Sequence, residues 1–457
     1  MSSIQTIAIG QGGGPTSVVH DQVAGSLYEI QRHPGLRAYV MRSGLEGFLH
    51  ADAENVIDIT DWDHNSIRAD GPGNTFHWTR FKIKKGKDDD IAQQILSNMG
   101  RYSIDNLVYI GGNDSGFTLA SLGMGVHATK TIDNDLLEAH HVSGFGSAAL
   151  FNATMIRNLV RDLGSSRVVA SSNGSQKYAT APLTIYQTMG RNTGWLALAT
   201  ALARVDANGV MNPKLPPDII WPREIPFDEE QFLSALSDVL DRKGKAFVVI
   251  GEELVYRNRK TIAEVYQAKE QELNARVLKA LKGCEDDPNL YAEFLGMYGR
   301  GEVHDQHGHV QHARSGAFNY ADYIAMLAKG KLKIPNVAKI KETPIVPQHL
   351  QRAGYVKSQV DSEEAFEVGR EAVRAILDGQ EQVSIVIKSN GSLPPKLERV
   401  PISAIAGKTR NVPLEYIDGI RGPTQAFVDE FLPIIGGPAA LPHYTKLDTS
   451  RIVKPRY

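Results

Sequence analysis

Short runs of consecutive apolar residues alternate along this chain with stretches whose apolar positions recur every three or four residues. The runs at 4–9, 37–41, 107–110, 167–172, 183–188, 246–250 and 383–387 read as strands, and the unbroken ones as strands buried on both faces. Between them, Val19, Val23, Leu27 and Ile30 fall on one helical face, and Asp88-Asp89-Asp90 open a helix through Ile91 and Ile95. Helical spacing returns up to about residue 163, over 362–377 and near 424–431, while 344–352 reads as strand-like. Strand and helix in alternation predict an α/β fold with parallel sheets. Residues 256–340 change character, with charged helical sequence and few strand runs, and the chain beyond 389 is proline-rich and irregular.

Composition narrows the class. A chain of 457 residues with 42% hydrophobic and 22% charged residues has the make-up of a globular protein of two or three domains. A net charge of −2 argues against a general nucleic-acid surface. The single cysteine, Cys284, leaves no internal disulfide and fits a reducing compartment. No leader-like start and no apolar run of about 18 residues is present, so no membrane partner is expected and a cytoplasmic location is.

The candidate chemistry sits where strands end. The run at 107–110 leads into Gly111-Gly112-Asn113-Asp114-Ser115, glycines that admit a phosphate followed by a hydroxyl placed to cap the next helix. Lys130-Thr131-Ile132-Asp133-Asn134-Asp135 then sets a lysine before two aspartates, groups that offset phosphate charge, hold Mg²⁺ or take a proton from an attacking hydroxyl. Either stretch alone is equally a glycine turn or a solvated acidic loop. The first strand runs into Gly10-Gln11-Gly12-Gly13-Gly14-Pro15-Thr16, with Pro15 suited to a first helical turn. A dinucleotide fingerprint is the rival here, but Pro15 takes its third glycine position and the next strand leads to Arg42 rather than an acid. A phosphate loop at Gly407-Lys408-Thr409 fails because Ile402 stands where glycine is required.

Other strand ends add Met189-Gly190-Arg191, Gly251-Glu252 and His349-Leu350-Gln351-Arg352, and a turn-rich loop from Gly71 ends at Arg80. Lys82, Lys84, Lys85 and Lys87 read as a solvated strand edge. His304, His307, His309 and His312 raise a zinc site, weakened by the absence of cysteine partners.

In combination these motifs resemble the phosphofructokinase family, and within it the pyrophosphate-dependent branch. The resemblance spans most of 4–390 and is weakest over 256–340. It implies two doubly wound, Rossmann-like domains facing across a cleft, with a helical insertion and an irregular C-terminal tail. The implied division is 1–145 plus about 353–403 for the phosphoryl donor, 146–352 for the sugar phosphate, with the insertion at about 256–340, and 404–457 as an extension. It implies Asp133 as catalytic base, flanked by Thr131 and Asp135, with Lys130 and Arg191 also catalytic. Gly13, Arg80, Gly112, Asn113, Asp114 and Ser115 face the donor, and Asp135 with Asn113 lies near Mg²⁺. Thr131, Asp133, Met189, Gly190, Arg191, Glu252, His349 and Arg352 meet the sugar phosphate.

Two positions bear on the donor. ATP-using relatives carry glycine at Asp114 and at Lys130; here a carboxylate fills and repels the nucleotide's α-phosphate position, and a compact cation suits a small tetra-anion. Pyrophosphate is therefore the expected donor, and Asn113, where Asp is commoner, loosens the metal contact. For the acceptor, Pro182 and Thr343 replace two usual phosphate-binding arginines and Gln187 replaces a glutamate. Fructose 6-phosphate is expected, with another phosphosugar such as sedoheptulose 7-phosphate, an ATP-dependent kinase or a non-catalytic regulatory subunit as alternatives. A homodimer or homotetramer is implied, since the family completes its sugar site with a neighbouring chain.

Overall fold

The computed structural model describes residues 5–49, 53–71, 75–165, 168–172, 175–255, 320–333, 340–353 and 356–443. Most of the expected insertion over 256–340, with all four of its histidines, lies outside them. The chain begins with β1 (Thr6–Gln11), α1 (Val19–Gln31), β2 (Arg37–Met41), β3 (Val56–Asp58), α2 (Asp89–Arg101), β4 (Asn106–Gly111), α3 (Asn113–Leu122) and β5 (Val126–Thr131). It continues through α4 (Phe145–Ser165), β6 (Val168–Ser172), β7 (Ser175–Gln187), α5 (Trp195–Ala199), β8 (Ile219–Trp221), α6 (Glu229–Lys243) and β9 (Ala246–Ile250). After α7 (Tyr320–Lys331), β10 (Ile340–Ile345) and α8 (Leu350–Ala353) come α9 (Gln359–Leu377), β11 (Val383–Ile387), β12 (Leu397–Pro401), α10 (Ile402–Ile405) and α11 (Gln425–Phe431).

Two sheets result. The first runs β12–β11–β5–β4–β1–β2–β3, parallel inside, with β12 and β3 antiparallel at its edges. The second runs β10–β7–β9–β8, all parallel, with β6 antiparallel against β7. Successive strand residues face opposite sides, and here both sides are covered. Ile7, Ile9, Val108 and Ile110 pack with Val23, Leu27, Val368 and Val373 of α1 and α9. Ala8, Leu107 and Tyr109 pack on the other side with Ile95 and Met99 of α2. In the second sheet, Tyr186, Phe247 and Val249 meet the layer of Trp195, while Leu183, Ile185, Val248 and Ile250 meet Phe232, Leu236 and Ile324. Strands covered on both faces have no place for polar alternation, which is why they read as continuous apolar runs. Among the described residues no helix is long and apolar enough to cross a membrane.

Three local expectations change. Pro15 lies ahead of α1, which starts only at Val19. The strand-like 344–352 divides: β10 ends at Ile345, and Leu350 N donates to Pro347 O as the chain turns into α8. The lysines after Arg80 form no strand; buried Ile83 separates Lys82 from a turn in which Lys87 N donates to Lys84 O at 3.0 Å.

The chain's return to the first sheet depends on close helix packing. A Cβ at Gly25 of α1 would stand 1.9 Å from Phe366 O of α9, and one at Gly369 would stand 2.1 Å from Gln22 O. Gly25→Ala therefore sets helix propensity, worth about 0.5–1 kcal/mol in favour of alanine, against a backbone clash of about 1–3 kcal/mol. The clash wins, so the urea midpoint should fall; a midpoint at or above wild type would show that α1 and α9 can move apart at no cost.

Candidate active site

The C-terminal ends of β1, β4 and β5 in one sheet and of β7 and β9 in the other deliver the polar loops, the position ligands take in open α/β sheets. After β1 the glycine loop is pinned by main-chain bonds, Gly12 N to Ile110 O and Gly13 N to Thr79 O, each 2.8 Å. Gly13 has φ +74°, a conformation side chains disfavour. Neighbours also fix the loop's composition, since a Cβ on Gly12 would meet Ser115 Oγ at 2.4 Å and one on Gly14 would meet Arg352 Nη1 at 2.2 Å.

Ser115 does not cap its helix. The helix α3 begins two residues earlier with Gly112 at its N-cap, so Ser115 lies inside the first turn, where its hydroxyl packs against Gly12 and Gly111. Asp114 is exposed in that same turn and its carboxylate meets Lys82 Nζ at 2.5 Å. Asn113 is engaged at both ends of its carboxamide: its Oδ1 accepts from Gly407 N at 2.6 Å and its Nδ2 donates to Lys408 O.

Lys130, at the end of β5, is buried and donates from Nζ to Gly14 O at 2.6 Å and Gly12 O at 3.2 Å. Burial first, then the charges of Arg352 and Arg80, push its pKa down to about 7. Arg80 follows Thr79 out of the loop bonded to Gly13. Arg352 is buried on the opposite side, its guanidinium 5.5 Å from the Trp78 ring centre and its Nε without a partner among the described residues. Three cations thus converge beside the glycine loop, an arrangement that calls for an anion.

The carboxyl groups face them. Asp133 N donates to Thr131 Oγ1 at 3.2 Å, and Thr193 Oγ1, from the second sheet, donates to Asp133 O at 3.3 Å. Asp133 keeps some surface open to the cleft, yet desolvation raises its pKa while Arg191, Arg352, Arg80 and Lys130 pull it back. Desolvation and the charge of Asp133 lift Asp135 to about 7. The same two causes lift Glu252, after β9, to about 7, although Gly190 N donates to its Oε2 at 3.2 Å. Gly190 has φ +104°, and Met189 N donates to Gln351 Oε1 at 3.0 Å, so the loop after β7 is tied to both β9 and α8. Arg191 acts on Asp133 and Glu252 alike. His349 stands exposed at the cleft edge, its pKa lowered by partial burial and by Arg352 and Arg80.

The sequence motifs therefore meet in one cleft: cations and glycines on the first sheet's side, and Met189, Gly190, Arg191, Glu252 and His349 on the second's. Sequence reasoning missed Glu224, whose Oε1 accepts from both Gly194 N and Val412 N at 3.0 Å, and Arg410, which grips the segment after Asp133. Neither belongs to a glycine motif or a periodic segment, so no local signal marked them.

The phosphofructokinase family model matches residues 6–376. A pyrophosphate–fructose 6-phosphate 1-phosphotransferase of Rhodospirillum rubrum is 27% identical over 464 residues, covering 98% of each chain. Its counterpart in Xanthomonas campestris is 28% identical, covering 97% of this chain and 96% of the relative. The solved structure of a pyrophosphate-dependent phosphofructokinase from Nitrosospira multiformis superposes with a TM-score of 0.70 at 22% identity, over 100% of this chain and 99% of that one. That match shows a shared fold of two Rossmann-like domains.

Lys130 gives a test by linkage. Its pKa is about 7 folded against 10.5 in the unfolded chain, so between these values the unfolded state holds the extra proton and stability rises with pH. Urea unfolding of wild type and Lys130→Met at pH 7 and pH 10 should show wild type gaining relative to the variant at the higher pH. A difference independent of pH would mean that Lys130 is fully charged in the folded protein.

Proposed function

The chain belongs to the phosphofructokinase family, and we propose that it transfers a phosphoryl group reversibly from pyrophosphate to the 1-hydroxyl of fructose 6-phosphate. The observation that carries this reading is the seat of Lys130: an ammonium on the carbonyls of Gly12 and Gly14, flanked by Arg80 and Arg352. A small donor with no nucleoside needs its charge met at short range by compact cations. Asp114, in the first turn of α3 and paired with Lys82, would add bulk and a carboxylate against a longer polyphosphate.

Asp133 takes the proton of the attacking hydroxyl as the new oxygen–phosphorus bond forms and the bridging bond of pyrophosphate breaks, and orthophosphate leaves. A carboxylate whose pKa is raised by desolvation is the stronger base, while Arg191 stabilises its charge and that of the transferring group. Lys130, Arg80 and Arg352 sit where negative charge builds on the leaving phosphate. Thr131 and Thr193 hold Asp133 in place from opposite sides of the cleft.

Mg²⁺ is part of the proposal. Among the described residues no group of three or more His, Cys, Asp and Glu side chains is placed to hold a metal alone. Such a cage is not required, because Mg²⁺ is typically bound through one or two carboxylates together with substrate phosphates. Asp135 fits, as a desolvated carboxyl that gains by ionising onto a cation; Asn113 has its carboxamide committed to Gly407 and Lys408. The ion supplies neutralisation of phosphate charge.

Met189, Gly190, Arg191, Glu252 and His349 would hold the sugar phosphate, while Arg352, expected there from the sequence, lies against Gly14 beside Lys130 and would serve the donor. Lys341 is the register partner of Pro182 on β10 and β7, which returns a cation to one position where a phosphate-binding arginine is missing. The same reading carries a cytoplasmic homodimer or homotetramer.

Turnover with Mg²⁺ and fructose 6-phosphate is expected with pyrophosphate and not with ATP; turnover with ATP alone would refute the donor assignment. Asp114→Gly combined with Lys130→Gly should shift the ratio of rates toward ATP, and an unchanged ratio would remove both residues from donor choice. Asp133→Ala should lower kcat roughly 10²–10⁴-fold, and near-normal turnover would show that another group takes the proton.

A further inference from the structure

Beyond the cleft, the segment 407–412 runs behind two of its loops at once. At one end Gly407 and Lys408 hold the carboxamide of Asn113. At the other, Glu224 ties Val412 to Gly194, just ahead of α5. Between them Arg410 grips the turn that follows Asp133. Its main-chain N–H donates to Asp135 O at 2.8 Å; Nη2 donates to Asn134 O at 3.0 Å; Nη1 donates to His140 O at 2.7 Å and to Ala139 O. The guanidinium lies 4.3 Å from the Trp195 ring centre, and Trp195 Nε1 donates to Arg410 O at 3.1 Å.

The gripped turn cannot hold itself. Asn134, between the two aspartates, has φ +57°, unfavourable for a residue with a side chain, and neither polar atom of its buried side chain has a partner among the described residues. Such a backbone persists only where its surroundings over-determine it. Arg410 supplies that determination through four carbonyls between Asn134 and His140, one met by its main-chain N–H and three by the guanidinium, whose fork reaches carbonyls that a lysine's single ammonium could not span together. Packing alone would be met more cheaply by an apolar side chain, since a buried guanidinium must find hydrogen-bond partners.

We infer that Arg410 is a positioning residue for the transfer reaction, fixing the backbone of 133–140 so that Asp133 and Asp135 face the cleft in one arrangement. The inference rests on the proposed function for the role of the two aspartates, but the contact itself does not. Arg410 touches no substrate in this account and acts through the turn.

Two variants of the full chain test it, Arg410→Ala and Arg410→Lys. Amide hydrogen exchange in peptides covering 133–142 should speed up in both, an outcome independent of any activity. Misplacing reacting groups by about 1 Å can cost on the order of 10²-fold, so kcat should fall about that far while KM for pyrophosphate stays near the wild-type value. Added guanidinium ion should restore part of the kcat of Arg410→Ala, which general destabilisation would not allow. Wild-type exchange in that turn, or wild-type kcat in the folded variants, would overturn the inference. If Arg410→Ala fails to fold, Arg410→Lys decides: lost kcat with retained KM and unfolding midpoint supports it, and full kcat refutes it. A wild-type protein that ignores pyrophosphate would refute the function, and the exchange result would still judge the clamp.

Discussion

A buried ammonium bonded to two carbonyls sets the layout of this cleft. Lys130 reaches from the end of β5 to Gly12 and Gly14 after β1, joining two loops of one sheet across the end of β4. Burial strips the ammonium of water, carbonyl oxygens do not neutralise it, and Arg352 and Arg80 add to the positive field, so its pKa falls to about 7. A site that strains its own cations is poised for an anion whose arrival relieves the repulsion. The glycines follow from the same packing: Ser115 and Arg352 occupy the space that side chains at Gly12 and Gly14 would need.

Carboxyl groups from both sides of the cleft answer those cations. Asp133, Asp135 and Glu252 are carboxyl groups raised in pKa by desolvation, and the charge of Arg191 acts on Asp133 and Glu252. Cations and proton-accepting carboxyls interleaved in one cleft give a phosphoryl group both a field and an acceptor for the proton. Contacts across the two sheets maintain the facing: Thr193 to Asp133 and Arg352 against Gly14. The reaction calls for little covalent work by the protein, so positioning and field account for most of what these residues do.

The central strands were legible because burial on both faces leaves a continuous apolar run, as in 107–110, and because glycines mark the ends that admit a ligand. Cleft residues that belong to such ends, Lys130, Arg191 and Glu252 among them, could be named from the chain alone. Ser115 reads as a cap from its place after the glycines, but its constraint is steric and comes from Gly12, far away in sequence. The strand-like 344–352 hid a turn at Pro347, where apolar content does not distinguish strand from a short helix. Arg410 and the engagement of Asn113 by Gly407 and Lys408 were invisible, since both contacts join segments nearly three hundred residues apart, |i−j| 276 for Arg410 to Asn134 and 294 for Gly407 to Asn113. Local periodicity carries no trace of such pairs.

The most direct test of the central claim is equilibrium binding of the donor to the wild-type protein by calorimetry in Mg²⁺, with ATP as competitor. If Lys130, Arg80 and Arg352 form a seat for a small tetra-anion, pyrophosphate should bind and ATP should fail to displace it. ATP binding as tightly as pyrophosphate, or displacing it, would contradict the account.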